Sequence, residues 1–351
     1  MITKTTDKFD RQEELLNCNF VKTILMLIVV IYHSCIFWAG GWFSMVTPQF
    51  SAPIISQIAL WTNTFHIYAF ALVSGYIFYH LKYEKGRYEK FWPFVLNKAK
   101  RLLIPYAVVS IAWVIPVSSL FYKVTFKDIL KNYVLGISPG QLWFLLMLFV
   151  LFVVFFPLSK FFKENDIFGA VVVVAFYGVG LIVQLLNVNF FQIFRAFTYV
   201  PLFWLGFKIR QHGSLCIKKI PSLIWVVADL LLFALYTIIS KYDGAIFALL
   251  QKGVYFVLCV VGALMAFVVL QEIAGRVKWK ESSVFKFLSK NSMPVYLFHQ
   301  QIIYVIIYYL NGVVNPYIHV AINGLGSLVV SLIISALLMK FKWTRALIGE
   351  K

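Results

Sequence analysis

The chain has 351 residues, of which 61% are hydrophobic and 13% are charged, and its mean hydropathy is +0.83. Soluble domains are about half apolar and a quarter charged, so this composition excludes an ordinary soluble protein and indicates a membrane protein. The formal net charge of +18 needs its own explanation, which depends on where the basic residues lie along the chain.

Apolar segments long enough to cross lipid follow one another through the chain. A spanning helix needs about 20 predominantly apolar residues, because lipid offers no partner for backbone polar groups. The segments are 19–39, 54–80, 102–122, 141–159, 168–187, 190–207, 221–240, 246–271, 292–310 and 317–339. They predict an all-α polytopic bundle of about ten helices, in which the first is an uncleaved span rather than a signal peptide.

The connections between these segments are short, which predicts a single membrane domain over residues 1–351. It would consist of a leader (1–18), the helix bundle (19–339) and a tail (340–351). The four cysteines show no metal-ligand spacing, so neither a disulfide nor a metal site is predicted.

The basic residues alternate between the two sides of this bundle. If the N-terminus is cytoplasmic, 25 of the 32 Lys and Arg lie in cytoplasmic tails and connections. Four lie on the other side, namely Lys123, Lys127, Lys131 and Lys241. This positive-inside pattern predicts a multi-pass protein of the plasma (inner) membrane with both termini cytoplasmic. The topology and the anionic membrane lipids therefore explain the positive net charge, and no nucleic acid is predicted as a partner.

The first segment, "CNFVKTILMLIVVIYHSCIF", carries two ionisable residues, Lys22 and His33. A charge at the centre of a spanning helix costs about 3 kcal/mol, so such residues usually face a bundle interior and often mark function. Eleven residues advance a helix by about 16 Å and return to nearly the same face. Lys22 and His33 therefore share one face of the helix. The structural alternative is that the Lys22 side chain extends to the lipid headgroups and that His33 bonds a neighbouring backbone as a packing contact.

Other ionisable residues also fall inside predicted spans: His66, Arg195, Asp229, Lys252 and His299. The two histidines either take part in a site or pack against neighbouring helices. Arg195, Asp229 and Lys252 are either functional or mutual ion-pair partners.

Several sequence blocks resemble the membrane acyltransferase 3 family. Lys22 and His33 match the basic-x10-His signature of its first helix, with Lys where Arg is commoner. The blocks that follow in family order are "FHIYAFALVSGY" (65–76), "NKAKRLLIPY" (97–106), "GQLWFLLMLF" (140–149), "YVPLFWLGFKIR" (199–210) and "NSMPVYLFHQ" (291–300). No single block is specific, but their order and spacing are similar to those of the fucose-acetylase-like and surface-polysaccharide acyltransferases.

This resemblance implies transfer of an acyl group, commonly acetyl from acetyl-CoA, to a hydroxyl of a glycan or glycolipid. The donor is a substrate, and no permanently bound cofactor is implied. In the family the matching histidine is regarded as catalytic, which makes His33 the predicted base or acyl carrier. The esterase-like domain that some members carry is not expected here.

The residue types suit this chemistry. A histidine with a pKa near neutrality can take the proton of an attacking hydroxyl, or it can accept the acyl group itself, and both routes stay open. Coenzyme A carries phosphates, so Lys22, Lys98 and Arg101 are predicted to bind the donor at the cytoplasmic face, Lys98 and Arg101 from a basic connection.

Three further assignments each have a functional and a structural interpretation. Ser74 and Gly75 would interrupt the second helix and either admit the pantetheine arm or allow close helix packing. Arg195 and Lys252 could hold an acceptor phosphate or a developing oxyanion. Trp143 and Phe144 are predicted as interfacial anchors, and stacking on a glycan stays open as the alternative.

The main alternative function is a transporter or exporter of a glycan or lipid, because polar groups within a bundle also describe substrate sites. Transporters often carry inverted repeats, and no repeat is visible in this sequence. A non-catalytic membrane partner would leave Lys22 and His33 without a shared task.

Overall fold

The computed structural model describes residues 2–186, 189–214, 217 and 219–350, with side chains from Gln12 onward. The predicted all-α fold is confirmed, and the described residues contain no β-strand. The helices are α1 (Ile2–Cys35), α2 (Pro53–Asn63), α3 (His66–Tyr79), α4 (Phe91–Val109), α5 (Ile115–Ser119), α6 (Phe126–Ile129), α7 (Trp143–Glu164), α8 (Asp166–Leu185), α9 (Ile193–His212), α10 (Ser222–Ile239), α11 (Ala245–Arg276), α12 (Ser283–Lys290), α13 (Ser292–Leu310), α14 (Pro316–Leu338) and α15 (Lys342–Leu347).

Eight helical segments in the described part of the chain are long and apolar enough to cross a membrane. They correspond to eight of the predicted spans, so the protein is a multi-pass membrane protein. The other two predicted spans are also helical, as the α2–α3 pair and as α9. The α2–α3 pair consists of two short helices, and helix α9 contains the basic residues Arg195, Lys208 and Arg210.

The predicted span 54–80 is divided into two helices, because the helix breaks between Asn63 and His66. Thr62 precedes the break and Thr64 lies within it, and both donate to backbone carbonyls. Thr62 Oγ1 lies 2.8 Å from the carbonyl oxygen of Ile58, and Thr64 Oγ1 lies 2.7 Å from that of Trp61. Such local side-chain bonds compete with the helical ladder, which explains why a polar "TNT" run interrupts an otherwise apolar segment.

The third span begins eleven residues earlier than predicted. Helix α4 starts at Phe91, continues through one π-helical turn (Ser110–Val114) and ends with α5. Lys98 and Arg101 therefore lie on a helix, and their assignment to a connection is wrong. The hydropathy pattern misplaces this boundary because long basic side chains can follow a helix face to its polar end without ending the helix.

The chain forms two compact units. The first comprises Met1–Tyr32, Gln57–His80 and Leu202–Lys290, and the second comprises His33–Ser56, Leu81–Pro201 and Asn291–Lys351. In the first unit, α11 packs against both α3 and α10. In the second unit, α13 packs along α14, while α4 contacts α7 and α15, and α7 contacts α8.

Helix α3 runs without interruption through Ser74 and Gly75, so the predicted break at these residues is wrong. A Cβ atom on Gly75 would lie 1.9 Å from the backbone oxygen of Phe203. A Cβ atom on Gly206 would likewise lie 1.8 Å from the backbone oxygen of Leu72. The two glycines therefore let the backbones of α3 and α9 touch, which is the close-packing alternative.

We expect Gly75→Ala to lower the midpoint of thermal unfolding of the detergent-solubilised protein by several degrees, because the new methyl group meets fixed backbone atoms. Gly253→Ala on α11 is the matched control, since its methyl group would meet nothing within 4 Å. The control should be neutral or stabilising, because alanine exceeds glycine by about 1 kcal/mol in helix propensity. Equal midpoints for the two variants would contradict the backbone contact.

Candidate functional site

Two histidines that are far apart in the sequence are in contact in the second unit. His33 lies near the end of α1 and is half-buried, and His299 lies in α13 and is fully buried. Nδ1 of His33 is 3.0 Å from Nε2 of His299, and the two ring centroids are 4.9 Å apart. The predicted catalytic residue His33 is thus within hydrogen-bond distance of His299, another candidate from the sequence.

The surrounding carbonyls determine which nitrogens carry protons. Nδ1 of His299 lies 3.0 Å from the backbone oxygen of Val295 and 2.9 Å from that of Tyr296. Carbonyl oxygens only accept hydrogen bonds, so this nitrogen is the donor and Nε2 of neutral His299 is an acceptor. His33 must then donate from Nδ1, which leaves the lone pair of neutral His33 on Nε2.

A short reversal of the chain follows His33. Residues Ile36–Ala39 form a 3₁₀ turn, and Gly40 and Gly41 have φ values of 88° and 72°. This left-handed backbone region favours glycine, which has no Cβ to clash. The reversal brings the Trp42 ring to 5.5 Å from the His33 ring, measured between centroids.

A pair of buried glutamines supports this region. Gln141 Nε2 donates to Gln301 Oε1 at 2.6 Å, and Gln301 Nε2 donates to Gln141 Oε1 at 3.1 Å. Gln141 Nε2 also donates to the backbone oxygen of Leu297, and the Tyr296 hydroxyl donates to the backbone oxygen of Gln141. These bonds fix the start of the "GQLWF" block to the helix that carries His299.

Helix α14 presents a polar stripe that the sequence analysis did not identify. Every fourth residue is polar and fully buried: His319, Asn323, Ser327, Ser331 and Ser335. Asn323 Nδ2 donates to the backbone oxygen of Ser34 at 3.3 Å, and the His319 ring meets Trp38 edge-on at 5.3 Å. This stripe could have been recognised in the sequence from the four-residue spacing of its polar residues, because residues i and i+4 share a helix face.

The predicted donor-binding residues have different surroundings. The Lys98 ammonium lies 3.7 Å from the centroid of the Phe152 ring, which is a cation–π contact within the second unit. Arg101, one turn further along α4, has an exposed side chain. Lys22 is half-buried on α1 in the first unit. A role in donor binding stays a prediction for all three residues.

Lys82, in the same basic stretch of sequence, is held by α7. Its ammonium donates to Ser159 Oγ at 2.6 Å and to the backbone oxygen of Phe156 at 3.1 Å. Desolvation by burial lowers the pKa of Lys82 to about 8. Lys82 is thus a packed cation rather than an open phosphate ligand.

The remaining candidates in the first unit have structural surroundings. Nδ1 of fully buried His66 lies 2.5 Å from the backbone oxygen of Thr62, at the break between α2 and α3. The carboxylate of Asp229 accepts a hydrogen bond from the Trp61 indole at 2.7 Å, which differs from the ion pair considered above. Lys252 is exposed on α11.

Arg195 belongs to the second unit and packs against the predicted anchor Trp143. Its guanidinium carbon lies 4.5 Å from the centre of the Trp143 ring, and Nη1 donates to Gln192 Oε1 at 3.2 Å. Gln192 in turn donates to the backbone oxygen of Gly136 at 2.6 Å. Arg195 therefore stabilises the connection before α9, and a role toward the acceptor stays a prediction.

The first unit also contains a buried charged cluster, in which Tyr76 and Arg210 are the last residues of the blocks 65–76 and 199–210. The Tyr76 hydroxyl donates to Glu14 Oε2 at 2.7 Å and accepts from Arg210 Nη1 at 2.9 Å. Nη2 of Arg210 lies 3.4 Å from Nδ1 of His80. Glu14 and Arg210 are at most 5% exposed, so this cluster ties α1, α3 and α9 together through paired buried charges.

Comparison with protein families agrees with these observations. The family model described as an acyltransferase domain, that of the acyltransferase 3 family, matches residues 16–340. No curated protein and no solved structure shows a significant match to this chain. The matched segment contains both histidines of the pair and nearly the whole helical bundle, and the chain therefore belongs to the acyltransferase 3 family of multi-pass membrane acyltransferases.

Proposed function

We propose that this protein is an O-acyltransferase of the plasma membrane that moves an acetyl group from acetyl-CoA to a hydroxyl of a cell-surface polysaccharide or lipid-linked glycan. Family membership supports acyl transfer in general. The observation that carries the proposal is the hydrogen-bonded pair of His33 and His299, which leaves a lone pair on Nε2 of His33.

In the direct route, Nε2 of His33 accepts the proton of the acceptor hydroxyl as its oxygen attacks the thioester carbonyl carbon. The new C–O bond forms, the C–S bond breaks, and the sulfur leaves as a thiol after taking the proton from His33. In the covalent route, the same nitrogen attacks the thioester carbon, the C–S bond breaks and coenzyme A leaves as a thiolate. The hydroxyl oxygen then takes the acyl group as the C–N bond breaks, and its proton goes to the thiolate. His299 accepts from Nδ1 of His33 in both routes and keeps the ring oriented.

The direct test is incubation of the purified protein with radiolabelled acetyl-CoA and candidate glycolipids. We expect label to appear in a glycolipid with the native protein, and we expect His33→Ala to lower this rate by about 100-fold or more, as loss of a general base does. His33→Ala should insert and unfold like the native protein. Equal turnover in the variant would remove His33 from the mechanism.

The same preparation separates the proposal from the transporter alternative. If no acceptor becomes labelled, the native protein is reconstituted in vesicles that contain a labelled glycolipid in one leaflet. Movement of that lipid across the bilayer without acyl transfer would favour a transporter and contradict the proposal.

His299 is predicted to act as a positioning residue. His299→Phe removes the acceptor for Nδ1 of His33, so we expect kcat to fall by about tenfold to 100-fold while the KM for acetyl-CoA stays unchanged. His299→Gln offers a carbonyl oxygen to the same proton and should restore part of kcat. If Gln and Phe are equally damaging, or if only the yield of folded protein changes, the side chain serves packing alone.

The donor is proposed to bind through basic residues at the cytoplasmic face, where its phosphates would meet Lys22, Lys98 and Arg101. The charge distribution supports this orientation, with both termini cytoplasmic. Arg101 is the strongest candidate among the three because its guanidinium is exposed, whereas Lys98 lies on an aromatic ring.

We expect Arg101→Ala and Lys22→Ala each to raise the KM for acetyl-CoA by about tenfold, since a charged hydrogen bond contributes about 1.5–3 kcal/mol. Lys22→Arg should be tolerated, and the acceptor KM should not change. Lys241→Ala, on the predicted opposite side, is the control. Steady-state kinetics with varied donor would contradict the assignment if Lys241→Ala raised the donor KM as much as Arg101→Ala.

A further inference from the structure

Aromatic side chains form a wall beside His33 in the second unit. The Trp42 ring centroid lies 5.5 Å from that of His33 and 4.7 Å from that of Tyr304. Tyr304 is stacked on Phe43, with 4.7 Å between centroids and 13° between the ring planes. The wall therefore consists of three rings, Trp42, Tyr304 and Phe43, and Trp42 is the one in contact with the proposed base.

The wall has a buried apolar base and a partly open face. Phe37, Ile303, Ile307 and the wall residue Phe43 form a buried apolar cluster, and Trp42 and Tyr304 pack against it but remain only partly buried. Packing by itself explains the buried members of this cluster. It does not require Trp42, the aromatic neighbour of His33 on this wall, and Tyr304 to stay partly accessible.

The rims of these rings are polar. The Tyr304 hydroxyl accepts a hydrogen bond from Gln300 Nε2 at 2.5 Å, and Gln300 is itself 3% exposed. The Trp42 indole carries an N–H donor. A flat apolar face with donors and acceptors at its edge matches a ligand that is apolar on its faces and polar around its rim.

A pyranose ring has this form, because its axial C–H bonds make an apolar face and its hydroxyls point outward at the edge. Such a ring placed on the accessible part of Trp42 would bring an edge hydroxyl toward His33, since the two rings are neighbours. A flexible polyol phosphate has no flat face to place there, and its charge would gain nothing from an aromatic surface.

We propose that Trp42 and Tyr304 form the acceptor subsite and that the acceptor presents a pyranose ring to it. This inference rests on the proposed O-acyl transfer and adds the class of the acceptor and the residues that recognise it. Trp42 would select and orient the ring, while His33 takes the proton from one of its hydroxyls.

Binding can be tested without turnover. The protein in lipid nanodiscs, free of sugar-headed detergents that would compete, is mixed with methyl α-D-glucopyranoside, methyl α-D-mannopyranoside or glycerol 1-phosphate. Saturation-transfer NMR should show magnetisation reaching the ring C–H protons of at least one pyranoside and not the protons of glycerol phosphate. The signal should be lost in Trp42→Ala, partly kept in Trp42→Phe and unchanged in Trp343→Ala, which alters an exposed tryptophan of α15.

Kinetics then separate the subsite from the reaction. With a pyranose acceptor, Trp42→Ala should raise the acceptor KM by about tenfold, an aromatic contact of about 1.4 kcal/mol, and leave the donor KM unchanged. Trp42→Phe, which keeps an aromatic ring, should raise the acceptor KM less than Trp42→Ala does, and it tests the contact by itself if the alanine variant does not fold.

Each outcome decides one of the two proposals. Pyranoside binding that depends on Trp42, without any acyl transfer by the native protein, would support the subsite and contradict the proposed function. Acyl transfer with an acceptor KM that is indifferent to Trp42, or preferential acylation of glycerol phosphate, would overturn the subsite and leave acyl transfer in place. A change in the donor KM alone would also overturn it, because Trp42 would then contact the wrong substrate.

Discussion

The structure depends on the fact that lipid cannot satisfy a buried polar group. A buried donor or acceptor without a partner costs roughly 1–3 kcal/mol, so each polar side chain within the bundle favours an arrangement that supplies one. The amides of Gln141 and Gln301 satisfy each other, and the charges of Glu14 and Arg210 meet through the hydroxyl of Tyr76. These pairs join helices that are far apart in sequence, so polar pairing, together with apolar packing, determines which helices become neighbours.

The same constraint produces the arrangement of the two histidines. His299 has its Nδ1 proton committed to carbonyls of its own helix, so its other nitrogen can only accept. Nδ1 of His33 therefore donates the proton of the hydrogen bond between the two rings, and Nε2 of His33 carries the lone pair. A bond that satisfies one buried histidine thus also selects the tautomer in which the other can act as a base or nucleophile.

Several candidate residues make contacts that packing explains. Gly75 lies where two helix backbones touch, His66 bonds the carbonyl at a helix break, and Arg195 covers the Trp143 ring. Each residue type fits a functional interpretation equally well, because membrane bundles use small, polar and charged residues both for sites and for helix contacts. Only their neighbours distinguish the two uses, and the neighbours come from distant parts of the chain.

The sequence by itself determined the all-helical class, most of the spans and the family, and it identified His33 as a candidate, because hydropathy, charge distribution and motif order are local properties. It misplaced the break in 54–80 and the start of α4, where short-range hydrogen bonds and snorkelling basic side chains override mean hydropathy. The pairing of His33 with His299 and of Gln141 with Gln301, and the return of Trp42 to His33, were decided by the tertiary structure. These contacts depend on which helix faces meet, and helix packing is set by side-chain shape and polar pairing across the whole bundle rather than by the pattern within any one segment.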